Sequence, residues 1–351
     1  MEKSNWTLFI PIYNLSISND IGGEIRIEDV SFISSKKIPY IRKKLGLEHT
    51  ISVYKSWLCT NNIKEMPFED AEVYACLKTK RSDTQVLSRE FGKIKDAIYL
   101  LASSQYFRVN RDSNTAFGGP EFKDNIIDNY FLFKNKSDKL NIRSAVVTPI
   151  REYTIDKQWQ KYLRNHFFLK LLKILNDPKR NKEDWRNCFK RCAILAGQSQ
   201  FSKNIYEAFL YNMIILEILL TRKGDKFPDK IIERLIALFG WFTKEDPRPW
   251  EEIIKRLYRL RCDFVHDGIS KDITIKDVLY SDMIAFNTLR NLVNLEKTIK
   301  NKDDVINLAK KIEALRFLKK PLKRPNGLRY STKNIEEIES KINSKLYHWC
   351  W

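Results

Sequence analysis

The chain has 351 residues, 43% of them hydrophobic, and carries 63 lysines and arginines against 44 aspartates and glutamates, for a net charge of +19. That length exceeds what one core usually supports and the apolar fraction can build cores, so two folded domains are expected and a disordered chain is excluded. No apolar run approaches the ~18–20 residues that span a bilayer, and the N-terminus "MEKSNWTLFIPIYN" lacks a secretory pattern. With Cys59, Cys76, Cys188, Cys192, Cys262 and Cys350 in no framework spacing, the chain reads as cytoplasmic, with no membrane partner.

Residues 1–150 read as mixed α and β. "WTLFIPIYNLSIS" and "GEIRIEDVSFISS" carry β-branched and aromatic residues, and "NDIGG" between them is a hairpin-like signal. "AEVYACLKTK", "NYFLFKN" and "IRSAVVTPI" are further strand candidates, "VLSREFGKIKDAIYLLASS" reads as a helix and "NTAFGGPEF" as a loop. After about residue 152 the apolar period becomes 3.6, predicting helices at 155–176, 183–197, 203–222, 228–242, 248–266, 274–299 and 302–318. "ILNDPKRNKED" and "RKGDKFPDK" punctuate them. The expected class is α+β: a β-containing domain over 1–150, a helical bundle over 151–312 and a basic tail over 313–351.

Charge follows the same division. Residues 1–150 hold 22 basic and 18 acidic side chains, net +4, and the remainder holds 41 and 26, net +15. A field of that sign attracts polyanions such as nucleic acid or an anionic surface. General enrichment in lysine and asparagine is the plainer explanation. The tail concentrates it: Arg316, Lys319, Lys320, Lys323, Arg324 and Arg329 occur with no carboxylate among them, and two prolines prevent a continuous helix.

One helix carries candidate chemistry. In "DPRPWEEIIKRLYRLRCDFVHDG", Asp246–Pro247 resembles an N-cap followed by proline, and Glu251 and Glu252 suit a first turn. Ile253, Leu257, Leu260 and Phe264 form one apolar face, and Gly268 is placed to end the helix in a left-handed conformation. At about 100° per residue, Arg259, Asp263 and His266 share the opposite side, whereas Arg261 lies about 140° from His266. An imidazole beside guanidinium groups suits acid–base chemistry on a phosphodiester. A carbonyl-capping histidine with a solvated Arg259–Asp263 pair is the structural alternative.

The run Arg261-Cys-Asp-Phe-Val-His266 resembles the R-x4-H signature of HEPN domains, in particular the ApeA-like branch. "EAFLYNMIILEILL", with Glu217 inside an apolar run, resembles the earlier helix of that family. "IIERLIALFG", with Arg234, resembles the next, and "NTLRNLVNLEKTI" the closing one. The likeness covers roughly 200–300. Cys262 stands where a small polar residue is usual, and Asp267 intervenes before Gly268. The resemblance implies a metal-independent endoribonuclease that needs no cofactor and acts as a homodimer through its helical bundle. Its expected role is an antiviral-defence or toxin effector. His266 would move protons, Arg261 would neutralise the phosphoryl oxygens, and Arg259, Asp263, Cys262 and Glu217 would support them. RNA is the implied partner, held also by the basic tail, with a regulatory protein or trigger at residues 1–150. A non-catalytic RNA-binding or assembly module is the alternative reading.

Other signals are weaker. Glu217 and Arg234 lie in apolar contexts and are expected to bridge each other. Cys188 and Cys192 at i,i+4 read as buried thiols. Glu121-Phe-Lys123 is a fragment of a metal-dependent nuclease pattern, and "LYHWCW" reads as an aromatic plug or a base-stacking surface.

Overall fold

The structure, a computed structural model, describes residues 6–37, 40, 72–80, 88–107, 117, 130–134, 140–143, 153–177, 179, 182–202, 204–226, 228–242, 249–268, 272–321 and 323–346. The chain divides into two compact units, residues 1–98 with 115–164 and residues 99–114 with 165–351. A small antiparallel sheet occupies the first and most of the helices the second, a mixed architecture compatible with α+β.

In the first unit, β1 (Trp6–Ile12) lies inside a six-stranded antiparallel sheet. It pairs with β5 (Val73–Thr79) on one side, Leu8 opposite Leu77, and with β6 (Tyr130–Lys134) on the other, Leu8 opposite Leu132. Six of its seven residues are buried, so a continuous apolar run, not an alternating one, is what this strand requires. β3 (Glu24–Ile27) and β4 (Val30–Ser34) extend the sheet beyond β5, and β7 (Leu140–Arg143) extends it beyond β6. Edge strand β3 alternates exposed and buried residues, as one covered face demands. The hairpin turn is not at "NDIGG": Asn19–Ile21 form a 3-10 turn, and Gly22 and Gly23, at φ 89° and 62°, redirect the chain. The tight turn is Glu28–Asp29, with Glu28 at φ 51° and Ile27 paired to Val30. β2 (Leu15–Ile17) instead pairs in parallel with β8 (Tyr153–Ile155).

Helix α1 (Ser88–Ala102) contains the division between the units. The single helix expected over 155–176 is broken. Asp156 caps α2 (Lys157–Tyr162) by accepting from the Trp159 N–H at 2.7 Å, a 3-10 turn follows at Leu163–Asn165, and α3 (Phe168–Asn176) starts afresh. His166 is the cause: its Nδ1 accepts the Phe168 N–H at 3.1 Å and its Nε2 lies 2.9 Å from the Tyr106 carbonyl, so a side chain takes bonds a helix would use. The second unit resumes at residue 165 and includes 99–114.

The remaining helices fall close to expectation: α4 (Glu183–Phe201), α5 (Ile205–Leu220), α6 (Asp229–Phe239), α7 (Trp250–Asp267), α8 (Ile275–Asn294) and α9 (Lys302–Phe317). Helix α8 is the spine. It opens with a capping box between Thr274 and Asp277 and is buried almost all round. Two of its polar residues, Ser281 and Asp282, are bonded by α5: Asn212 donates to Ser281 Oγ at 2.9 Å and to Asp282 Oδ1 at 2.8 Å, and itself accepts from the Tyr106 hydroxyl at 2.7 Å. Gly197 of α4 lets the α1 backbone approach; a Cβ there would lie 1.8 Å from the Tyr99 carbonyl oxygen. The region read as a basic tail is partly folded: α10 (Ile335–Leu346) seats Ile335 and Ile338 against Leu279 and Met283 of α8. Cys192 is buried and Cys188 half-buried. Among the described residues no helix is long and apolar enough to cross a membrane. Asp246, Pro247, Glu121–Lys123 and the residues after Leu346 lie outside the described residues.

Candidate active site on helix α7

Helix α7 buries Ile254, Leu257 and Leu260, with Ile253 and Phe264 partly covered beside them. It begins at Trp250 without a side-chain cap, and Glu251 and Glu252 occupy its first turn. Gly268 ends it as the sequence predicts, at φ 68° with its N–H on the Asp263 carbonyl. Opposite the apolar face run Lys255, Arg256, Arg259 and His266, all exposed, with Asp263 half-buried. Arg256 is committed to structure: its Nε and Nη2 donate to the two carboxylate oxygens of Asp277 at 3.0 and 3.2 Å, clamping α7 to α8. Among the described residues no hydrogen bond or ion pair joins Arg259 to Asp263. The solvated pair of the structural alternative is not formed there.

Arg261 faces the other way, as its angular offset from His266 requires. Its Nη2 donates to Glu217 Oε2 at 3.2 Å and its Nε lies 3.0 Å from Oε1, with both side chains about one-fifth exposed, at 19% and 20%. Tyr258, one turn earlier, places its ring 6.0 Å from the guanidinium. Burial, and then the Glu217 charge, push its phenol up to about 12, so it stays a hydrogen-bond donor. Cys262 is half-buried beside Arg261 as a free thiol.

The Glu217–Arg234 bridge is not formed. Arg234 donates to Asp225 through Nη1 at 2.5 Å and Nη2 at 3.2 Å, and also to the Leu220 carbonyl. These bonds hold Asp225 below the usual carboxylate range. Glu217 is therefore available to Arg261. The arrangement brings Arg261, Glu217 and Tyr258 together on the inner side of α7 and leaves Arg259 and His266 on the outer side. The pairing uses one guanidinium N–H in a hydrogen bond, from Nη2; the Nε contact at 3.0 Å is an ion pair without hydrogen-bond geometry.

The six cations of the tail are all exposed, but some are already occupied. Arg316 belongs to the last turn of α9, with its Nη2 only 2.7 Å from where a Gly240 Cβ would lie. Lys319, at φ 51°, ends that helix, Lys320 and Lys323 follow, and Arg324 lies 5.2 Å over the Phe242 ring. Arg329 donates its backbone N–H to Asn291 Oδ1 at 2.8 Å and its guanidinium to Asn165. Tyr330 stacks on Phe242 with centroids 5.5 Å apart, fastening this stretch to the bundle.

No family model matches the chain, and neither a curated protein nor a solved structure matches it.

Proposed function

We propose that the chain is a metal-independent endoribonuclease of the HEPN type, an antiviral-defence or toxin effector in the cytoplasm. Its reaction would leave 2′,3′-cyclic phosphate and 5′-hydroxyl ends. The observation that carries this reading is His266, exposed on the last turn of a helix that also bears Arg259 and Arg261 and is stopped by Gly268. On this reading His266 takes the 2′-hydroxyl proton or returns one to the leaving 5′-oxygen. Arg261 neutralises charge on the phosphoryl oxygens, with Glu217 fixing the plane of the guanidinium. Arg261 and His266 of one chain face apart, so the pair acting on one phosphate comes from two copies of the chain, in a homodimer formed by the helical bundle. Residues 1–98 with 115–164 would receive a regulatory protein or other trigger.

The test is single-turnover cleavage of RNA by the full chain in excess chelator. His266→Ala should abolish cleavage without unfolding the protein, because an exposed helix-terminal histidine contributes little packing. Full activity in folded His266→Ala protein overturns the proposal. Restoration of lost activity by magnesium or manganese would point instead to Glu121 and Lys123.

A second reading is favoured by the Glu217–Arg261 pair itself. An arginine already neutralised within its own chain fits a non-catalytic HEPN-like module that binds RNA or assembles with a partner. RNA binding without any cleaved product from the wild-type protein would select that reading.

A further inference from the structure

Helix α8 carries a cation with no anion. Arg290 is 2% exposed, yet among the described residues no carboxylate lies within ion-pair distance of it. Its guanidinium donates only to neutral oxygens, Nη1 to Ser331 Oγ at 2.7 Å and Nη2 to Asn287 Oδ1 at 2.9 Å, and the Phe286 ring 5.1 Å away offers it a π face but no charge. The charge that acts on it is a like one: burial first, then Arg329, push its pKa down to about 10. A buried charge is normally paired, because desolvation is not otherwise offset.

The same cluster is short of acceptors. Arg290 Nε and Asn291 Nδ2 are buried donors with no hydrogen-bond partner among the described residues. Asn291 uses its oxygen on the Arg329 N–H, and Asn287 uses its oxygen on Arg290 and on the Ser331 N–H at 2.9 Å. Ser331 Oγ accepts from Arg290, while its own proton has no acceptor among the described residues. Ser331 is half-buried and Arg329 exposed, so these two residues form the solvent side of the cluster. A buried cation without a counter-charge calls for an explanation, and the Ser331 hydroxyl that Arg290 bonds leads from it to the solvent side, where an anion can offset the charge.

We propose that Ser331 and Arg329, backed by Arg290 and Asn291, form a binding site for a tetrahedral oxyanion of the phosphate type. The anion accepts the Ser331 O–H and an Arg329 N–H, and Arg290 supplies charge through the hydroxyl it already bonds. An oxyanion has both the charge and the several lone pairs that this cluster lacks. The site lies on α8 and the 329–331 segment, and it does not depend on the nuclease reading.

Thermal unfolding of the full chain in sodium phosphate, against sodium chloride at equal ionic strength, tests it. Ligand linkage predicts a Tm that climbs with the logarithm of phosphate concentration once the site saturates. Phosphate also stabilises proteins by general exclusion, so the decisive quantity is the difference between wild type and variants. Arg329→Ala and Ser331→Ala, both on the solvent side, should fold and lose most of the excess shift. His266→Ala and the Lys319/Lys320/Lys323/Arg324→Ala variant should retain it. Inorganic phosphate and a nucleoside monophosphate serve as separate arms. Equal shifts mean that only the phosphoryl group is held, and a larger nucleotide shift means that the anion arrives attached to a nucleoside. A phosphate shift identical in wild type, Arg329→Ala and Ser331→Ala overturns the proposal.

Discussion

Removing Glu217 should destabilise the helical unit in a way that removing Arg261 as well partly relieves. The pair is about one-fifth exposed, at 19% and 20%, and is held by one hydrogen bond and a second ion-pair contact at 3.0 Å. Exposed ion pairs contribute roughly 0.2–1 kcal/mol, and stranding one member of a fully buried pair costs about 3–5 kcal/mol. Glu217→Ala leaves Arg261 without its carboxylate, so about 2 kcal/mol is expected between those limits. For a unit of this size each kcal/mol moves Tm by about 2–4 °C, giving a fall of about 4–8 °C. The assay is a double-mutant cycle by denaturant unfolding on wild type, Glu217→Ala, Arg261→Ala and the double variant. A coupling of about 1–2 kcal/mol is expected. Independent sites add within about 0.3–0.5 kcal/mol, and strict additivity within that range would refute the pairing and with it the orientation assigned to Arg261.

Gly197→Ala should be far more harmful than its size implies, because its Cβ would lie 1.8 Å from the Tyr99 carbonyl oxygen; a loss of more than about 3 kcal/mol, read as Tm or failed expression, is expected. Gly268→Ala meets no atom within 4 Å but must hold φ 68°, so conformation alone should cost about 1–2 kcal/mol. Conversely Lys319→Gly should stabilise by up to about 1 kcal/mol, since Lys319 already sits at φ 51°. Asp225 has its folded-state pKa depressed by Arg234, so its contribution is present above the ordinary carboxylate value near 4 and is lost as pH falls through the lower folded value. Asp225→Asn should unfold more readily at neutral pH and show a shallower acid-induced decline than wild type, measured as Tm against pH.

Much of the architecture was legible in the residues. The 3.6-residue period located six of the helices of the C-terminal region to within a few residues, because a helix must bury one stripe whatever it packs against. The left-handed stop at Gly268 was also local, set by a residue with no Cβ. The angular separation of Arg261 from His266 followed from helical geometry alone, and the structure keeps it. The break at His166 was not legible, since it depends on the Tyr106 carbonyl, distant in sequence, accepting an imidazole bond. Nor was the partner of Glu217. Periodicity tells which face a side chain occupies, not which neighbour reaches that face first. Arg234 was placed correctly as buried, but the turn after α5 folds Asp225 back to it, releasing Glu217 for Arg261. The unpaired charge of Arg290 was hidden for the same reason: the sequence shows a cation on a helix, and only the packing of the 329–331 segment over α8 removes it from water without supplying a carboxylate.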